Sequence, residues 1–283
     1  MRSASRRSRR ALVLAAAVAA ASQPVAAQDF LSQQFVAPSD EVFVVYLGGI
    51  VNQFDTTLRL DGTAQTGTPI NMENNGADDS ASSFELGLVW RVAPRHRIGL
   101  TYYTSDRSGQ RNHTSEINIG DASFPLGATV TINAENQFVI ANYMYSMVRT
   151  PTFESALILG IYGGKFDYTI DAVGNAGSLT ADYHKSVSTG LPLPMLGITA
   201  EWGSPDKRWK ISGLAQGIKA KIGDVDGTAY LLEASAEWMI TRGFGVGARY
   251  RYADVQADVT KSDFTGNFDW KTNSVSLYGK FVF

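Results

Sequence analysis

The chain has 283 residues, with 25 Lys and Arg against 27 Asp and Glu, a formal net charge of −2. It has no cysteine, which excludes disulfides, thiolate metal sites and a lipoprotein anchor. Hydrophobic residues make up 44% of it, yet they fall in short alternating runs, and nowhere is there the stretch of roughly 20 apolar residues that a membrane helix needs.

Residues 1–27 read as a secretory signal. Arg2, Arg6, Arg7, Arg9 and Arg10 form a basic start, Ala11 to Ala21 is apolar, and Val25 and Ala27 suit cleavage before Gln28. Ser8-Arg9-Arg10 faintly resembles a twin-arginine signal, a route for folded cargo that a membrane barrel does not take. Without the signal, 20 basic side chains remain against 27 acidic ones, a net charge of −7, which argues against a nucleic-acid partner.

Residues 28–40 are polar with one proline and read as a periplasmic lead-in; residues 41–283 read as a barrel. The first strand starts near Glu41 and is apolar on both faces, so its orientation stays open. A polar loop over 61–82 contains Asn74-Asn75-Gly76-Ala77-Asp78-Asp79. The second strand sets Phe84, Leu86, Leu88, Trp90 and Val92 against Glu85, Gly87, Val89 and Arg91. Ala93-Pro94-Arg95 turns into the third, where His96, Ile98, Leu100 and Tyr102 oppose Arg97, Gly99 and Thr101. A second long loop spans 105–127. Strands four and five carry Val139 to Met147 and Phe153 to Ile161, joined at Thr150-Pro151-Thr152, with Glu154 on the polar face. A third loop spans 168–186. In strand six, Pro192 and Pro194 predict a bulge or distortion. Strand seven opens at Trp209, and Gly223 to Gly227 reads as a tight hairpin turn rather than a calcium loop. Strand eight runs to Ile240 and strand nine starts at Phe244; a last loop covers 254–266. The closing strand alternates Phe283, Phe281, Gly279, Leu277 and Val275 with Val282, Lys280, Tyr278 and Ser276, and Phe281 and Phe283 read as the assembly signal.

Side chains alternate across a strand, so this pattern predicts an all-β protein, a transmembrane up-and-down antiparallel β-barrel. About ten strands are expected, with eight or twelve as alternatives. Short connections follow even strands and mostly long ones follow odd strands, the pattern of periplasmic turns and extracellular loops. The location expected is the outer membrane of a Gram-negative cell, with both termini periplasmic. Trp90, Trp202, Trp209, Trp238 and Phe244 fall beside the short turns on the outward face, as an aromatic girdle. The competing reading is a soluble β-sandwich, which leaves the signal, the loop asymmetry and the terminal Phe283 unexplained.

The same alternation assigns inward charges. If Ile240 faces Phe244, Glu233 lies opposite Arg251 and Ser235 opposite Arg249, with Glu237 diagonal to Arg249. If Trp202 faces Trp209, Glu201 lies opposite Lys210. Glu85, Arg91, Arg97, Glu154 and Lys280 point inward on the same logic. A charge-selective pore lines itself with one sign, whereas five acids and six bases suit cross-strand pairing. The expectation is a charge-paired interior in a structural or surface-interacting barrel. The alternatives are a narrow passive channel and a surface enzyme acting on lipid A or peptides. Asp182-Tyr183-His184 and Asp78-Asp79 are similar to the acidic and Asp-His pairs of omptin proteases, but such strings are common in loops. His113 and Ser115 lie in the wrong stretch to settle a Ser-His site of the lipid A deacylase kind, a lone loop histidine being usually solvent-exposed, and His96 reads as interfacial. No catalytic residue, cofactor or metal site is assigned. Expected partners are outer-membrane lipid, lipopolysaccharide and the barrel assembly machinery, with a monomer favoured.

Three segments carry a family resemblance: Ile119 to Val130, Gly243 to Gly247 with Tyr250-Arg251-Tyr252, and Asp263 to Asp269. They resemble uncharacterised proteobacterial outer-membrane β-barrel proteins, of the small-porin type in the broad sense that includes OmpA- and OmpW-like proteins. The resemblance covers most of residues 83–283. It implies a barrel and carries no catalytic residues.

Overall fold

The structure is a computed structural model that describes residues 35–283 except 65, 75–76, 113–116, 120–121, 125–128, 177–178 and 261–264. The signal and residues 28–34 lie outside the described residues, as do His113 and Ser115.

Ten long strands form a meander: β1 (Phe43–Asp61), β2 (Ser80–Ala93), β3 (His96–Asn112), β4 (Thr129–Arg149), β5 (Phe153–Ala176), β6 (Leu179–Gly203), β7 (Trp209–Ile222), β8 (Val225–Met239), β9 (Phe244–Thr260) and β10 (Thr265–Val282). Each pairs antiparallel with the next, and β1 pairs with β10 from Val44↔Val282 to Asp61↔Thr265, which closes the sheet. The seam is tied off where Phe43 and Phe283 exchange backbone hydrogen bonds of 3.3 and 2.9 Å. Closure removes the free edges of an open sheet, so its strands need no edge protection. A two-residue strand, Ile70–Asn71, lies outside the meander and pairs with β1 at Thr57 and Leu58.

The start of β1, the end of β10 and the turns after the even-numbered strands lie at one end, called here the near end. Outside the barrel, its half carries a continuous apolar belt: Leu47, Val51, Leu86, Leu157, Ile198, Ile211, Leu232 and Leu277 are all half exposed or more, apart from Val51 at 49% and Leu86 at 38%. Soluble proteins do not present such a surface, whereas a lipid-embedded barrel must. Trp90, Trp202, Trp209 and Trp238 stand at the near edge of the belt, 39–49% exposed, with Phe244 half-buried beside Phe281.

Toward the far end the polarity of the strands inverts. On β9 the outward residues pass from Val246 and Tyr250 to Gln256 and Asp258, while the buried ones pass from Arg251 to Ala253, Val255 and Ala257. On β1 Val51 gives way outward to Gln53 and Asp55, and the buried positions become Phe54, Leu58 and Leu60. The far half is therefore greasy inside and wet outside, the usual arrangement of a protein in water.

This inversion corrects the expected loops. The stretch 168–186 is mostly strand, since β5 and β6 are 24 and 25 residues long, well beyond the 9–11 needed to cross a bilayer. Likewise 105–112 belongs to β3, and 254–260 to β9. The connection 62–79 does not stand free either: Ile70, Met72 and Ala77 are buried in the far mouth of the barrel. The turn between β7 and β8 is tighter than expected, with Gly223 at φ +60°, a conformation that costs a residue with a Cβ.

Candidate functional site: the barrel lumen

In the near half the inward positions are charged, and alternation along strands puts them in one space. Arg249 and Arg251 on β9, Glu233 on β8 and Glu85 on β2 form a closed ring. Arg251 donates to Glu233 at 3.0 Å and to Glu85 at 2.8 Å. Arg249 donates to Glu85 at 2.6 Å and is 3.1 Å from Glu233. Glu233 lies opposite Arg251 and Ser235 opposite Arg249, in register. Glu85 is three strands on, with β10 and β1 between. The β10 neighbours of Arg249 and Arg251 are Ser276 and Ser274, small enough to let the guanidinium groups pass over. Tyr46, Tyr278 and Tyr103 face the two guanidiniums at 4.9–5.6 Å.

The remaining charges make one alternating chain. It runs Glu41–Lys280 (2.6 Å), Lys280–Glu237 (2.7 Å), Glu237–Lys210 (3.1 Å), Lys210–Glu201 (3.7 Å), Glu201–Arg97, Arg97–Glu154 (3.6 Å) and Glu154–Arg91 (2.7 Å). Ser146 donates a further hydrogen bond to Glu154. All eight residues are buried. Charges leave water only when partnered, and here each has at least one opposite charge.

Two expectations about this set change. Glu41 was read as the start of the first strand, yet its carboxylate belongs to the lumen and makes six acids against six bases. No periodicity could flag it, because it precedes β1. Glu201 does not lie opposite Lys210: the register is Glu201↔Ser212 and Lys210↔Gly203, so Trp202 meets Ile211, while Trp209 stacks on Trp238. The hairpin runs two residues further before it turns, because Ser204 and Trp209 close it by a 2.9 Å backbone hydrogen bond. In that turn Ser204 also donates to the Asp206 carboxylate, which together with the Arg208 N–H holds it below its ordinary pKa. A slip of two residues keeps every side chain on its face, which is why both charges are still inward.

The near mouth is covered by the segment before β1. Ala37, Ser39 and Glu41 are buried, Arg149 donates to the Ser39 carbonyl at 3.1 Å and Asp40 at 2.8 Å, and Arg208 lies over the Phe35 ring. Above it a cavity of about 130 Å³ remains among Arg97, Asn142, Thr199, Glu201 and Gln216's neighbours on β7, enough for a few waters.

The far half is packed by an aromatic stack that the sequence reading did not assign. Trp270 is fully buried, 5.3 Å from Phe138, which stacks on Tyr103 at 4.7 Å; Phe54 flanks Trp270 at 6.5 Å. Arg107 lies 4.0 Å over the Phe54 ring and pairs with Glu73 from the inserted connection. The signal was present in Phe268 and Trp270, which fall on the closing strand in phase with the inward Ser274, Ser276 and Lys280.

The candidates for chemistry lie on different elements. Asp78 and Asp79 are exposed beside the β1–β2 connection. Asp182 and His184 are in β6, paired with Val173 and Asp171 of β5, on a hairpin three strands on from β2. His96 sits at the near turn with Nδ1 2.6 Å from the Tyr143 hydroxyl. Among the described residues no group of three or more His, Asp or Glu could hold a metal ion.

No protein-family model matches the chain, and no curated protein matches it. Among solved structures it is similar to the outer membrane protease OmpT from Escherichia coli, with a TM-score of 0.55 at 10% identity, covering 87% of this chain and 98% of that one. It is also similar to the translocator domain of the autotransporter NalP from Neisseria meningitidis, with a TM-score of 0.43 at 11% identity over 87% of this chain and 91% of that one. The outer membrane protein OprG from Pseudomonas aeruginosa matches with a TM-score of 0.35 at 11% identity, over 89% and 99%. At 10% identity the likeness to OmpT is one of architecture: this chain has the fold of an outer-membrane β-barrel.

Proposed function

We propose that the protein is an integral barrel of the outer membrane whose role lies in its wall and its exposed far end, and that it conducts no solute and catalyses no reaction. The short turns at the near end, beside the start of β1 and the end of β10, support a periplasmic near end, and the long strands support a far end projecting from the cell. A monomer in contact with lipopolysaccharide, inserted by the barrel assembly machinery, fits this reading.

One observation carries it: the lumen is occupied at every level. The segment before β1 covers the near mouth, twelve paired charges occupy the near half around the cavity of about 130 Å³, and the Trp270 stack with the 62–79 connection fills the far half. A ten-strand barrel is little wider than one that its own side chains fill, so no separate plug is required. Swelling of liposomes that contain the purified protein tests the reading. Swelling no faster than in empty liposomes, for sugars and amino acids alike, is expected; size-dependent swelling would replace it with the channel reading. The likeness to OmpT brings no activity with it. Assays of peptide cleavage and of lipid A deacylation are expected to read as background.

A further inference from the structure

The ladders between neighbouring strands stop early in the barrel wall between β2 and β3, where pairing ends at Glu85↔Tyr103, and between β6 and β7. β6 and β7 pair only from Lys210↔Gly203 to Gly217↔Leu196. Their other ladders continue: β5–β6 to Ala176↔Leu179, and β7–β8 to Ile222↔Val225. This leaves one side of β7 from Ile218 to Ile222, and one side of β6 from Met195 back to Leu179, without a strand partner among the described residues. The cause is legible. Extending the register would set Lys219 against Pro194 and Lys221 against Pro192, and proline has no N–H to offer a ladder. The expected bulge is absent, since β5–β6 pairing runs unbroken through Pro192↔Gly163 and Pro194↔Ile161.

The notch opens at the upper edge of the apolar belt. Leu196 and Ile198, 66% and 56% exposed, stand directly below it on the outside. Its inner wall is apolar too: Met195 belongs to the far core, and Leu193, Leu214 and Ile218 pack half-buried against it. The notch is thus a continuation of the lipid-facing surface into the wall. On the β7 lip, Lys219 and Lys221 point outward and are exposed, and neither makes an ion pair with a described residue, although Asp226 lies across the ladder from Lys221. Among the described residues no other pair of outward, unpaired lysines sits this close to the belt; Lys165 is held by Asp167 at 2.6 Å.

We propose that this notch docks lipid A of the outer leaflet, with one acyl chain against Leu193, Met195 and Ile218 and a phosphate at Lys219 and Lys221. The inference rests on the outer-membrane reading and adds to it a defined site. Belt lipids are already in contact with Leu196 and Ile198, so an acyl chain needs only to shift inward, and the two cations favour a phosphate-bearing headgroup over a neutral one.

The purified, delipidated full chain, titrated with lipid A and followed by native mass spectrometry, tests this. Phosphatidylcholine is the comparison lipid. One lipid A retained per chain, at concentrations that retain no phosphatidylcholine, is expected. Lys219→Gln and Lys221→Gln, both surface changes that leave heat-modifiable migration intact, should each weaken retention about fivefold. The chain has no native cysteine, so a bimane on Ile218→Cys reports the site alone, and its emission should shift blue as lipid A binds. Equal retention of both lipids, lysine variants that bind as the parent does, or a bimane indifferent to lipid A would each overturn the proposal. So would a dimer that persists without lipid and buries Ile218. A bimane on Leu277→Cys, at the belt's most exposed leucine, separates the two readings. If brominated phosphatidylcholine in nanodiscs quenches it, the membrane reading stands whatever happens at the notch; if it does not, both fall.

Discussion

Replacing Arg251 by alanine removes one corner of the ring that it forms with Glu85, Glu233 and Arg249. Arg251 is 2% exposed and is bonded to both carboxylates, at 2.8 and 3.0 Å. Its loss leaves the buried Glu85 and the half-buried Glu233 sharing Arg249, so the ring goes from neutral to a net negative charge. Breaking a buried pair costs about 3–5 kcal/mol, against about 0–1 for an exposed one. Removing Glu233 together with Arg251 leaves the Glu85–Arg249 pair at 2.6 Å and restores balance. Removing Glu85 together with Arg251 leaves Glu233–Arg249 at 3.1 Å, also balanced. Both double variants should therefore be less harmful than the sum of their singles, by at least about 1 kcal/mol each. A plain cross-strand pair would couple Arg251 to Glu233 alone. The assay is two double-mutant cycles of equilibrium unfolding in detergent micelles. Coupling with Glu233 but none with Glu85 would refute the ring. No coupling in either cycle would refute the register of β8 and β9, because a slip of one residue puts the partners on opposite faces.

Three further outcomes are expected. Trp270→Ala should lower stability by about 3–5 kcal/mol, read by denaturant unfolding, because the vacated stack between Phe54 and Phe138 cannot close. Gly48→Ala should cost about 1–3 kcal/mol at the β1–β10 seam, since its Cβ would clash with the Leu277 carbonyl oxygen and come within 2.6 Å of Tyr278, and heat-modifiable migration should report the loosened closure. Phe283→Asp should reduce the yield of inserted barrel in membrane fractions, because the terminal ring lies 6.1 Å from Phe43 where the two strand ends tie the seam.

The near half was legible from the amino-acid sequence because the lipid belt imposes a strict alternation. Wherever Leu232, Ala234 and Ala236 face out, Glu233, Ser235 and Glu237 must face in, and no other constraint intervenes. The far half was harder to read because the same period of two continues with its polarity reversed. Ala253-Asp254-Val255-Gln256-Ala257-Asp258-Val259 alternates as strictly as any membrane strand, yet its polar members suggested a loop. The reversal at Tyr252 is itself the mark of the membrane boundary, and searching for it would have found the aromatic core. Glu41 and the segment before β1 were out of reach by this route, since their place depends on Lys280, which lies at the other end of the chain. The split between β6 and β7 was half visible: Pro192 and Pro194 marked the position, but which of the two neighbouring ladders they interrupt depends on where their missing N–H groups would have pointed.

Single-channel conductance of the purified barrel in a planar bilayer tests the filled lumen most directly. The account predicts no stable conductance step for the parent protein over the range of potentials that the bilayer withstands, and none for Glu41→Ala, because the Trp270 stack still closes the far half when the near mouth is loosened. A steady ohmic step from the parent protein, with an ion selectivity that changes in Arg251→Ala, would contradict it.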